Sequence, residues 1–131
     1  MATTSPLCTI SAKLQFNPIG KLATGMKIDV PFEGTATSDR WEGEWQVAGV
    51  DYVTIGSDGV QQLEIRGRIS NGERTIKYLA MGRGTNETGP MELIVFETAD
   101  EELADLNSTI ACAFGSLKGN KLTLDIEALS A

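Results

Sequence analysis

An Asn71-Gly72 dipeptide lies between two β-rich runs, residues 60–70 and 74–81, and nothing else in the chain constrains its fold so tightly. Asn-Gly in this setting is the strongest short-range hairpin signal, because both central residues of a type I′ turn need positive φ. The first run alternates with period two. Gln62, Glu64, Arg66 and Arg68 share one face, and Leu63, Ile65, Gly67 and Ile69 share the other. The prediction is an antiparallel hairpin of two long strands, whose outer edges the rest of the chain must pair.

The remaining runs supply such partners. Residues 7–16, 26–31, 32–38, 41–49, 50–55, 91–98, 108–117 and 121–129 read as strands, with turn signals at Ser38-Asp39, Ser57-Asp58-Gly59 and Lys118-Gly119-Asn120. Cys8, Ile10, Ala12, Leu14 and Phe16 share one face of the first run; Trp41, Gly43, Trp45 and Val47 share one face of another. Residues 1–6 read as a polar tail, and 17–25 and 85–90 as loops. Only 99–106 reads as helical, about two turns long, with Thr98 as N-cap and Asp100, Glu101 and Glu102 favourably placed in the first turn. A chain of 131 residues with no linker or internal repeat is one domain.

The fold class is therefore all-β: a closed or nearly closed antiparallel β-barrel of about 8–10 strands with one short helix near 99–106. Closure is favoured over a sandwich by the long hairpin strands and by Gly67, Gly82, Gly84 and Gly115, which interrupt strand patterns as bends of closed sheets require. It also removes exposed edges. A barrel of about eight strands encloses either packed side chains or one small ligand.

Composition narrows the function. A net charge of −7 with no basic cluster argues against nucleic-acid and anionic-membrane partners. No apolar run approaches the roughly 20 residues of a spanning helix. The N-terminal MATTSPLCTI lacks a basic segment followed by an apolar one, so a cytoplasmic location is expected. The chain has no histidine, which removes the usual Ser-His-Asp and Cys-His machinery and His-based metal sites. Acid–base chemistry must then use carboxylates, Tyr, Lys, Cys or bound water. Cys8 and Cys112 read as small buried hydrophobes, and two thiols without histidine make a poor zinc site. Neither a metal nor another cofactor is expected.

Several short motifs occur in a fixed order: Pro31-Phe32-Glu33-Gly34, Gly49-Val50-Asp51-Tyr52, Asp58-Gly59, Glu64-Ile65-Arg66, Asn71-Gly72, Ile76 with Arg83-Gly84, Phe96-Glu97-Thr98 and Leu106-Asn107. In this the chain resembles a family of small bacterial and fungal proteins, domain-of-unknown-function family 3237, over nearly its whole length. It departs from that pattern at Tyr52, where the family usually has Trp, at Asn71, where it has Asp, and at Asp105, where an aromatic is common. The resemblance implies an antiparallel barrel with an internal cavity, similar to lipocalin-like and allene-oxide-cyclase-like barrels, and no established activity.

The candidate catalytic residues are Asp51, Glu64, Arg66 and Glu97, and the candidate substrate-binding residues are Trp41, Trp45, Tyr52, Tyr78 and Asn107. A carboxylate in a partly apolar cavity has its pKa raised toward a useful range, and Arg66, Tyr52 or Asn107 can stabilise charge developing on a carbonyl oxygen. Each residue also has a plain structural role open to it: a solvated Glu64/Arg66 pair, a turn-capping Asp51, Glu97 at a helix start, indoles packed in the core. Two functions follow. One is a barrel binding a small hydrophobic or carbonyl ligand, as a binder or as a cofactor-free lyase or isomerase for hydration, dehydration or cyclisation. The other is a solid, non-enzymatic barrel that self-associates. The resemblance favours Glu64 and Arg66 pointing inward. Leu63 and Ile65 would then face outward, so a covering second subunit, a homodimer, is expected.

Overall fold

The computed structural model describes residues 1–130. Nine strands run in chain order as β1 (Thr3–Leu14), β2 (Asn17–Leu22), β3 (Gly25–Thr37), β4 (Trp45–Ile55), β5 (Gln61–Ser70), β6 (Thr75–Gly84), β7 (Met91–Thr98), β8 (Ile110–Lys118) and β9 (Lys121–Ser130). A 3₁₀ helix, Glu101–Ser108, joins β7 to β8. Eight strands close an antiparallel barrel in the order β1-β9-β8-β7-β6-β5-β4-β3, with β3 returning to β1. The barrel expected from the sequence is thus present.

Its details correct several expectations. Residues 3–6 are not a tail, since Thr3 pairs with Ser130 and Pro6 with Glu127. Residues 17–22 are not loop but β2, which takes over from β1 as the partner of β3: Leu14 pairs with Phe32, then Asn17 with Asp29. Pro18 and Gly20 mimic loop punctuation, yet Pro is tolerated on an edge strand, and the register shifts by one residue between them. The 26–31 and 32–38 runs form one continuous β3. Residues 41–44 are loop, and the strand expected there starts at Trp45.

The Asn71-Gly72 signal marks a turn of another kind. Only Gly72 has positive φ, +99°. Asn71 Oδ1 instead accepts the backbone N–H groups of Glu73 and Arg74 at 3.0 and 2.7 Å, an Asx-type closure of a four-residue connection. The helix is also differently capped. Asp100 accepts from the Leu103 N–H at 3.1 Å, while Thr98 Oγ1 accepts from Asp100 N–H and donates to the Thr75 carbonyl.

That helix closes one end of the barrel. Leu103 and Leu106 are buried in the core together with Trp45. Trp41 stacks on Trp45 at 4.5 Å between ring centroids, and the Arg74 guanidinium lies 5.1 Å over the Trp45 ring. Arg74 also grips Asp100 through two 2.7 Å hydrogen bonds. At the other end stand the β2–β3 hairpin and the connections 56–60, 85–90 and 119–120.

On β5 the apolar face points inward. Leu63, Ile65 and Ile69 are buried, whereas Glu64, Arg66 and Arg68 lie exposed on the outer wall. The expectation of an inward Glu64/Arg66 pair is overturned, so that pair no longer argues for a dimer. Burying an aliphatic side chain gains roughly 1.5–3 kcal/mol. Burying an ion costs several kcal/mol unless it is fully compensated, so the alternation settles the facing. Arg66→Ala should therefore change unfolding free energy by no more than about 0.5 kcal/mol in urea melts. A loss of several kcal/mol would contradict this facing. Among the described residues, no helix is long and apolar enough to cross a membrane.

Candidate functional site

The open end of the barrel leads into a cavity of about 180 Å³. One cross-strand row shapes its wall. Phe32 pairs with Gly49, Gly49 with Gly67, and Gly67 with Tyr78. The two aromatic rings lie over the two glycines: a Cβ on Gly67 would sit 2.5 Å from Tyr78 Cζ, and one on Gly49 would sit 2.8 Å from Phe32 Cζ. Glycine is required at Gly67 by the close approach of the Tyr78 ring, and at Gly49 first by the Arg66 backbone carbonyl and then by the Phe32 ring.

The other lining residues include Ile10, Val30, Val53, Leu63, Ile65 and Leu124, and apart from Asp51, Gln61, Tyr78 and Glu92 every lining side chain is apolar. Asp51 enters from β4 and Glu92 from β7, walls three strands apart, with Tyr78 on β6 between them. Glu92 is buried, and Asp51 Oδ1 is buried without a hydrogen-bond partner among the described residues.

This setting reshapes their acidity. Burial pushes Asp51 up to about 7, against a weaker lowering by the Glu64 backbone. Burial and then the nearby Asp51 charge push Glu92 up to about 8. Burial, followed by the charges of Glu92, Cys8 and Asp51, raises Tyr78, which therefore keeps its proton. Burial likewise raises the Cys8 thiol to about 12, so it is an inert core thiol. The cavity thus holds two carboxyl groups that titrate near neutrality and one hydroxyl donor. Such a set can hold one proton on one acid while the other acid accepts one, the arrangement acid–base catalysis needs. No group of three or more His, Cys, Asp or Glu side chains among the described residues is placed to hold a metal ion.

Of the residues singled out by sequence, Asp51 and Tyr78 line this cavity. The others do not. Arg66 and Glu97 share a shallow groove on the outer wall with Lys77 and Leu79, and Glu64 is exposed beside them. Tyr52 alternates with Asp51 and points outward, 45% exposed. Trp41 and Trp45 belong to the closed end. Asn107 clamps the strand before the helix, accepting from Thr98 N–H at 2.8 Å and donating to the Thr98 carbonyl at 3.0 Å.

Glu92 was missed. Its signal was the shared face with Ile94, Phe96 and Thr98, but the opposite face, Met91, Leu93 and Val95, is just as apolar. The alternation of β7 therefore did not declare which face was inner.

No protein-family model matches the sequence, and neither does any curated protein. Solved structures match along the whole chain. A conserved protein of unknown function from Rhodopseudomonas palustris is 16% identical, with a TM-score of 0.88 over 99% of each chain. A β-barrel-like protein from Acinetobacter baumannii is 19% identical, with a TM-score of 0.87 over 99% of this chain and 97% of its own. An enzyme from Penicillium herquei is 17% identical, with a TM-score of 0.76 over 98% of this chain and 95% of its own. At these identities the likeness is one of fold.

Proposed function

We propose that this barrel binds a small, mostly apolar carbonyl compound and moves protons on it without a cofactor, as a lyase or isomerase. The observation carrying this reading is the Asp51 carboxyl, whose Oδ1 is buried without a hydrogen-bond partner among the described residues, in the same largely apolar cavity as Glu92. Unpaired carboxyls in apolar surroundings are costly to maintain, and raised pKa values cluster at functional sites. In the proposed cycle one acid, still ionised, takes a proton from carbon or from water, while the other, protonated, donates to the developing oxyanion with Tyr78 OH as a second donor. A cavity near 150 Å³ is known to admit benzene, so about 180 Å³ suits a single-ring compound.

The fold likeness to a Penicillium herquei enzyme supports an enzymatic reading by analogy alone. The void argues against the alternative of a solid barrel. A cytoplasmic setting, with neither nucleic acid nor membrane as partner, agrees with the acidic charge and the two free thiols.

The test begins by screening small cyclic ketones, enones and phenols by native mass spectrometry and assaying any binder for turnover. Asp51→Asn and Glu92→Gln should each lower turnover of a hit by roughly 10²–10⁴-fold while leaving binding largely intact. Full turnover in both variants would refute the acid–base assignment, and absence of any binder would refute the ligand class.

A further inference from the structure

We propose that Gln61 sets the specificity of the cavity by holding a second polar group of the ligand, at the mouth, on the far side of an apolar ring from the reacting carbonyl. This placement rests on the acid–base reading of Asp51 and Glu92. The inner wall of β6 makes it possible. From the closed end to the mouth its inward residues are Ile76, Tyr78, Ala80, Gly82 and Gly84, so the side chains dwindle until only backbone remains. Two neighbours lean over that bare stretch from either side. Glu92, paired with Gly82 from β7, has its Cγ 3.0 Å from where a Gly82 Cβ would sit. Gln61, paired with Gly84 from β5, has its Oε1 3.3 Å from where a Gly84 Cβ would sit.

Small residues alone would make only a groove. What points to a ligand is the set of polar groups left unpaired along it. Glu92 is only 6% exposed, lines the cavity, and receives no side-chain hydrogen bond among the described residues. Asp51 Oδ1 is buried in the same condition. Gln61 lines the cavity between Ile55 and Gly84, and its amide likewise finds no partner among the described residues. Only water can then satisfy the amide while the mouth is open. An apolar ligand entering past it strips that water, which is costly unless the ligand offers a hydrogen bond in return. The amide both donates and accepts, so a hydroxyl group suits it.

The strand fixes the spacing. Gly82 and Gly84, over which Glu92 and Gln61 lie, are two residues apart on one strand, about 7 Å along it. Substituents at opposite corners of a six-membered ring stand at a comparable separation. Ala80, Gly82 and Gly84 leave the wall flat enough for such a ring to lie against it. Tyr78 stands at the deep end of the same face and Gln61 at the mouth, so the carbonyl enters first and the second group trails. The ligand class is thereby narrowed to a single-ring ketone with a hydroxyl opposite its carbonyl substituent.

Titration calorimetry on the full chain with acetophenone and its para- and ortho-hydroxy derivatives tests this. The wild type should bind para-hydroxyacetophenone roughly three- to tenfold more tightly than acetophenone, the yield of one added hydrogen bond. The ortho isomer, whose hydroxyl sits beside the carbonyl, should bind no more tightly than acetophenone. Gln61→Met, of similar length but apolar, should erase the para preference while changing acetophenone affinity by no more than about twofold, and Gln61→Leu should do the same. Glu92→Gln should keep the preference, because it alters the other end of the ligand. Equal wild-type affinities for acetophenone and the para derivative overturn the role of Gln61 and leave the acid–base reading standing. So does a para preference that survives both Gln61 variants, or one that Glu92→Gln abolishes. Binding of none of the three ketones overturns the role of Gln61 together with the ketone class on which it rests.

Discussion

Glu92→Gln should raise the melting temperature at pH 8.5 by on the order of 10 °C and leave it nearly unchanged at pH 4. Glu92 has an ordinary value of 4.5 and is raised to about 8 in the folded chain. Between those values the native state holds a proton that the unfolded chain has released. Unfolding therefore becomes easier as pH rises, the reverse of the usual salt-bridged carboxylate. The stability associated with protonated Glu92 is complete below about pH 4.5 and is lost as pH passes through about 8. Gln mimics the protonated form at every pH, so the variant separates from the wild type only on the alkaline side. Each pKa unit corresponds to about 1.4 kcal/mol, and allowing for relaxation of the site a difference of about 3 kcal/mol is expected. Asp51 behaves alike over a lower window, from 3.8 to about 7. Thermal melts of wild type and Glu92→Gln from pH 4 to 9 test this. Parallel curves across the whole range would mean that Glu92 is solvated.

Gly34→Ala should cost more than about 4 kcal/mol, in the range where a chain of this size stops folding. A Cβ on Gly34 would collide with the Ser11 carbonyl oxygen and sit 2.7 Å from Ala12 Cα. These are backbone atoms of β1, and no side chain can swing away to relieve them. Gly34 pairs with Ala12 in the β1–β3 seam, the contact that returns the sheet on itself. Gly84 is the useful contrast, because its nearest neighbour would be the flexible Gln61 Oε1 at 3.3 Å. Gly84→Ala should be close to neutral in the same urea titration. A Gly34→Ala protein with a wild-type unfolding midpoint would show that the seam yields easily.

Strand content and barrel closure were legible because period-two alternation and turn residues are local signals. Facing was legible only where the two faces differ. On β5 the contrast between Leu63, Ile65, Ile69 and Glu64, Arg66, Arg68 was decisive, and the resemblance-based preference for inward charges ran against it. On β7 both faces are apolar, so Glu92 went unnoticed while Glu97, within the Phe-Glu-Thr motif, was selected. Asp51 was found, but its role follows from the apolar residues facing it across the barrel, which are distant in sequence. β2 was lost to Pro18 and Gly20, whose loop-like chemistry is tolerated where one strand edge is free. The helix start was placed at Thr98 because the competing hydroxyl contact to the Thr75 carbonyl comes from a separate hairpin.

β1 is paired along both edges, by β3 and by β9. Its first partner lies within some two dozen residues, but the second is β9, 127 positions away where Thr3 meets Ser130. Until β9 pairs with it, β1 has one open edge. Non-local pairing of this kind makes folding slow and leaves unpaired edges free to find other chains. Pairing of β1 along both edges closes the wall, and the closed wall is what holds Asp51 and Glu92 in the surroundings that change their acidity.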